Sequence, residues 1–124
     1  MRERRIHPRF DVILPVKLTV GETTVEGNFF DISMGGMQLG CDQATAEVLV
    51  PNPNQIVNPG QNLVVQARFR CPNGDGVTAE CRLVVSRRVS NNEFRIGMEI
   101  QDFPDEGDRE TFEAYIQERM AEVV

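Results

Sequence analysis

The sequence predicts a mainly β protein: about six antiparallel strands closed into a barrel, then one C-terminal α-helix, with a flexible basic arm in front. Three observations predict it. Apolar and polar residues alternate at period two in six stretches between residues 10 and 100. Clusters of Gly, Pro, Asn and Asp separate those stretches. Only after residue 105 does the apolar spacing change to three and four. Short strands with free edges invite pairing with other chains, and closure into a barrel removes the edges. At 124 residues the chain is long enough for one domain with a real core, residues 10–124, behind an arm of residues 1–9.

The elements follow in order. Residues 1–9 are polar and basic, and Pro8 disfavours helix at His7. Phe10, Val12, Leu14, Val16, Leu18 and Val20 share one parity and form the first strand. Pro15 cannot donate to a ladder, so it belongs at a bulge or on a free edge. Gly21-Glu22 is a turn, and residues 23–32 return as the second strand. There the neighbours Phe29 and Phe30 must face opposite sides. Residues 37–41 form a third strand, and 42–50 suit a short helix or a strand equally. The Pro- and Asn-rich stretch 51–59 is a loop. Leu63 to Cys71 is a fourth strand. Pro72 to Gly76 is a hairpin connection, and Val77, Ala79, Cys81, Leu83 and Val85 mark the inner face of a fifth strand. Phe94, Ile96, Met98 and Ile100 mark the sixth. Phe112, Tyr115, Ile116, Met120 and Val123 then recur at helical spacing. Asp105, Glu106, Asp108 and Glu110 stand in the first turns, at the positive end of the helix dipole.

Composition narrows the function. The net charge of −6 disfavours non-specific binding to nucleic acid or to an anionic membrane surface. Three cysteines, Cys41, Cys71 and Cys81, are odd in number and too far apart for a zinc or redox motif, so they are expected as buried or half-buried free thiols of a reducing compartment. The N-terminus has no apolar stretch after its arginines, and no run approaches a membrane span, so a cytoplasmic protein without membrane insertion is expected. The single His7 has no partner at metal-ligand spacing, and no phosphate-binding glycine loop ends in Lys-Ser or Lys-Thr. Neither an enzyme nor a metal or cofactor is expected.

Two pieces do carry recognition chemistry. Arg4, Arg5 and Arg9 put three guanidinium groups on the arm. Their planar forks bind phosphate oxygens or the O6/N7 edge of guanine. Asp31, Ser33, Gly35 and Gly36 follow the second strand. A carboxylate there can accept from a guanine N–H edge, and a hydroxyl can serve phosphate or base. Two glycines permit positive φ and let backbone N–H groups come close to a ligand.

In these residues the chain resembles the PilZ domain family, marked by RxxxR ahead of the first strand and (D/N)xSxxG two strands along. Here they read Arg5-Ile6-His7-Pro8-Arg9 and Asp31-Ile32-Ser33-Met34-Gly35-Gly36. The resemblance spans essentially the whole chain, since a six-stranded barrel followed by a helix is the family's fold. It implies binding of the bacterial second messenger cyclic di-GMP, without catalysis. Arg5 and Arg9 would hold guanine edges and phosphates, with Arg4 helping. Asp31 and Ser33 would meet a guanine, and Gly36, with Gly35 beside it, would allow close backbone approach. The Phe94-Arg95-Ile96-Gly97-Met98 segment is similar to the family's late strands, with no residue-by-residue role assigned.

The expected mechanism is ordering of the arm over the barrel mouth, which gives an unidentified protein partner a surface to read in motility, biofilm or exopolysaccharide, or virulence control. The chain would act as a monomer or weak dimer. The alternative is a barrel of the same fold that serves only as a protein–protein adaptor.

Overall fold

The computed structural model describes residues 9–50, 63–72 and 74–122. Residues 1–8 of the arm, with Arg4 and Arg5, and the 51–59 stretch lie outside the described residues.

Six strands and two helices follow one another: β1 (Phe10–Val20), β2 (Thr23–Ile32), β3 (Gly36–Cys41), α1 (Gln43–Leu49), β4 (Val64–Arg70), β5 (Gly76–Ser90), β6 (Glu93–Asp102) and α2 (Glu106–Glu122). All neighbouring strands are antiparallel, and the sheet closes in the order β1-β2-β3-β6-β5-β4. The period-two pattern accounts for this directly. Val16, Leu18, Val65, Ala67, Val77, Ala79, Phe94 and Ile96 point inward and are essentially inaccessible, and they alternate with exposed neighbours. Gly21, at φ 60°, makes the expected turn between β1 and β2.

Five register shifts interrupt the ladders among the described residues, and those at Phe30 and Val84 re-aim side chains. Between Asp11 and Leu14, β1 carries one residue more than β2 yet keeps its parity: Phe10 and Leu14 stay buried and Ile13, on the other face, is 82% exposed. In β2, Phe29 and Asp31 pair with the adjacent Leu39 and Gln38, so Phe30 is the extra residue. The inward positions on β2 are therefore Phe29 and Ile32, both at 0% exposure, while Phe30 and Asp31 are only partly buried between them. In β5, Leu83 and Val85 pair with the adjacent Met98 and Gly97. The expectation that Val85 continues the inner face is thus corrected: the bulge at Val84 hands that parity to Ser86, which is 1% exposed.

Residues 42–50 are a helix. The Asp42 side chain accepts a hydrogen bond from the Thr45 backbone N–H at 2.8 Å, while Ala46 and Leu49 turn into the core. Those hydrogen bonds hold the Asp42 carboxyl below its ordinary pKa. A carboxyl with a lowered folded-state pKa stabilises above its unfolded pKa and loses that contribution as pH falls through the folded value. The amide protection factors across α1, taken relative to intrinsic exchange at each pH, should fall below about pH 4. Asp42→Ala should bring the same loss of protection to neutral pH, at about 1 kcal/mol.

The helix α2 packs against β5. Phe112 meets Phe69 at 6.0 Å and Phe103 at 5.5 Å between ring centroids, and Phe69 meets Phe29 at 5.4 Å, an aromatic chain from helix to barrel interior. Phe112, Tyr115 and Ile116 are buried as the spacing predicts, but Met120 is 42% exposed. The apolar stripe fades because Arg119 holds the last turns instead: it donates to the Asp11 carbonyl at 3.2 Å and lies over the Phe10 ring at 5.5 Å. The start of β1, directly after Arg9, is thereby tied to α2.

Cys71 and Cys81 are buried and Cys41 half-buried, all as free thiols. Burial pushes the Cys41 and Cys81 thiols up to about 12 and Cys71 to about 11, so all three stay protonated and unreactive at neutral pH.

Candidate functional site

Asp31 owes its position to the β2 bulge. By simple alternation it would share the inward face of Phe29, and the extra residue Phe30 turns it to the outer wall instead. There its Oδ2 takes an ion pair from Arg9 Nη1 at 3.3 Å, with both side chains partly exposed. Such a pair stabilises by about 0–1 kcal/mol. The other carboxylate oxygen, Oδ1, is buried and has no hydrogen-bond partner among the described residues. An unmet buried acceptor costs about 1–3 kcal/mol, so the pair leaves the site with a deficit that an N–H donor would fill.

Ser33 lies underneath, 6% exposed. Its Oγ accepts from the N–H groups of Gly35 at 3.3 Å and Gly36 at 3.2 Å, and donates to the Gly36 carbonyl at 3.3 Å. One donor and two acceptors exhaust a hydroxyl. In this conformation Ser33 therefore acts on anything bound above it through the shape of the loop. The loop is fastened further by Ser33 N–H donating to the Gly36 carbonyl at 2.8 Å and Ile100 N–H to the Gly35 carbonyl at 3.0 Å.

The expectation that Gly35 and Gly36 use positive φ is corrected. Positive φ occurs at Gly21 and Gly74, and the pair is not among them. Gly36 is required by closeness instead: a Cβ there would stand 2.3 Å from the Met98 carbonyl oxygen on β6.

Arg9, Asp31 and the Ser33–Gly36 loop lie beside the start of β1, the end of β2 and the start of β3. The interior is filled by residues such as Leu18, Phe29, Leu39, Leu83 and Ile96, all at 0% exposure. Arg9, Asp31, Ser33, Gly35 and Gly36 come together here, while Arg4 and Arg5 fall outside the described residues.

Three neighbours went unassigned in the sequence. Gln38 pairs with Asp31 across to β3, and Gly97 pairs with Gln38 across to β6, which continues the outer wall as a low floor. Arg95 lies over the Phe30 ring at 4.0 Å and also pairs with Glu93 at 3.2 Å, leaving a stacked guanidinium one strand from the loop. Period two carries the signal for Gln38, which is flanked by the inward Met37 and Leu39. Arg95 was hidden because its partner Phe30 is placed by a bulge.

A family model described as the PilZ domain matches residues 3–118. No curated protein matches. Among solved structures, the MrkH–c-di-GMP complex of K. pneumonia superposes with a TM-score of 0.71 at 16% identity, covering 98% of this chain and 54% of that one. The inhibitor of motility MotI/DgrA of Bacillus subtilis gives 0.64 at 18% identity, with 98% and 53% covered. The PlzA protein of Borreliella burgdorferi in complex with c-di-GMP gives 0.54 at 12% identity, with 89% and 52% covered. At these identities the likeness is one of fold, and the chain spans about half the length of those structures.

Proposed function

Because the chain belongs to the PilZ domain family, we propose that it is a receptor for cyclic di-GMP, binding the dinucleotide on the outer wall of β2 and β3 and performing no chemistry on it. The observation that carries this reading is the buried Oδ1 of Asp31, without a hydrogen-bond partner among the described residues, beside the Arg9 guanidinium. A guanine presents N1–H and N2–H donors on one edge and O6 and N7 acceptors on another, so one base satisfies a carboxylate and an arginine fork at once. The two similar structures solved with c-di-GMP support the same ligand.

Arg5 and Arg9 hold guanine edges and phosphates, with Arg4 adding charge. Asp31 accepts from a guanine, Ser33 and Gly36 keep the loop in shape, and Gly35 lies beside them. The arm changes conformation on binding: Arg9 gives up Asp31 to the base and swings with the residues before it across the wall. The new surface is read by a protein partner that controls motility, biofilm formation or virulence. Ordering the arm costs entropy, which sets affinity at a micromolar Kd, about −8 kcal/mol.

Side-by-side calorimetric titrations with cyclic di-GMP, GTP and a single-stranded oligonucleotide test this. Micromolar binding of cyclic di-GMP alone is the expected result. Equal binding of GTP, or no heat with cyclic di-GMP, would sink the assignment, and the second outcome would favour the pure adaptor.

A further inference from the structure

A second concave site lies where β1, β2, β4 and β5 form the wall. Its origin is Pro15. Pairing between β1 and β4 runs from Thr19↔Gln66 to Val16↔Phe69 and stops. Pro15 has no N–H to donate and does not carry the ladder on to Arg70. Gly76, opposite Arg70 on β5, has no side chain, and nothing lies within 4 Å of where its Cβ would be. The result is a groove of about 500 Å³ between Pro15 and Gly76, the size of a small-molecule site.

The side chains around it are Lys17, Arg68 and Arg70, with Glu26 as the carboxylate among them. Lys17 and Arg68 are direct cross-strand partners, so two positive charges sit opposite each other on adjacent strands. Like charges placed so are unfavourable, and Glu26, which pairs with Lys17 across to β2, is the one acidic side chain in register with them. Neither is in an ion pair among the described residues. Arg70 donates an N–H to the Gly74 carbonyl. Nearby Asp108 gives Oδ2 to the Thr78 backbone N–H at 3.0 Å. Three cations thus converge in a protein whose net charge is −6.

We propose that this groove is an anion site for a phosphorylated small molecule, separate from the dinucleotide site. The lining favours such a ligand over a protein partner. The apolar residues of the groove, Val16, Phe69 and Val77, are core residues at 2%, 5% and 2% exposure, so they offer a partner's apolar anchor little surface. The arginine forks and the lysine suit phosphate oxygens. Glu26 suits a hydroxyl or amino donor on the same molecule.

Amide NMR of the whole chain, titrated with sodium tripolyphosphate and separately with ATP at constant ionic strength, tests the proposal. Saturable shifts are expected at Gly27, Gly76 and Thr78, and they should persist when cyclic di-GMP is already present. Lys17→Glu/Arg68→Glu should weaken them by at least about tenfold. Gly76→Asp, which fills the notch with a carboxylate and keeps every cation, should do the same, and the spectra themselves report that both variants are folded. Shifts that never saturate, that appear with neither probe, or that survive both variants overturn the proposal. Loss of cyclic di-GMP binding in those variants would overturn the separation of the two sites.

Discussion

Arg9→Ala is expected to weaken cyclic di-GMP binding by about ten- to a hundred-fold, and Arg5→Ala/Arg9→Ala to remove it from the range of calorimetry. The size follows from the ligand-free state. There Arg9 and Asp31 already hold each other at 3.3 Å, with side chains 32% and 22% exposed. Breaking that pair costs about 0–1 kcal/mol, whereas each charge-assisted bond to a phosphate or guanine returns about 1.5–3 kcal/mol. The exchange is favourable because the existing pair is weak. Removing Arg9 takes from Asp31 its one ion-pair partner among the described residues, a weak and partly exposed contact, so the ligand-free barrel should lose little stability while affinity falls steeply. A melting temperature within a few degrees of wild type beside a lost binding isotherm is the expected signature. Equal affinity in wild type and double variant would refute the site.

Much of this was legible in the chain. Six period-two segments and one helical segment became six strands and α2, because a closed barrel gives each strand one wet and one dry face. Pro15 was expected at a bulge or a free edge, and it ends the β1–β4 ladder. What alternation cannot express is the single added residue. Phe30 in β2 and Val84 in β5 each shift parity by one, and no residue type announces a bulge. Asp31 reaches the outer wall only through the first of them. The helix α1 was equally hard to see, since five apolar residues in nine fit either period, and the Asp42 cap decided it. Arg9 and Asp31 are each expected from the resemblance as ligand contacts, and their direct ion pair at 3.3 Å is legible only in the structure.

Gly36→Ala is expected to destabilise the ligand-free protein by about 1–3 kcal/mol, by the cost of overpacking. The added methyl would meet the Met98 carbonyl oxygen at 2.3 Å and the Met98 carbonyl carbon at 3.3 Å, both backbone atoms of β6 that no rotamer change can move. Relief requires β3 to draw away from β6 where Gly36 pairs with Glu99. That movement strains the bonds that shape the loop, Gly36 N–H to Ser33 Oγ and Ile100 N–H to the Gly35 carbonyl. Gly40, on the same strand and pairing with Arg95, is the internal control: a Cβ there meets nothing nearer than 3.7 Å. Gly40→Ala should stay within about 0.5 kcal/mol of wild type. Urea unfolding of both variants separates two meanings of this glycine. If it served only to let a ligand approach, Gly36→Ala would unfold with the wild-type midpoint and lose affinity alone. If it fixes the spacing of β3 and β6, the midpoint falls first, and affinity falls because the loop that Ser33 holds is no longer in place.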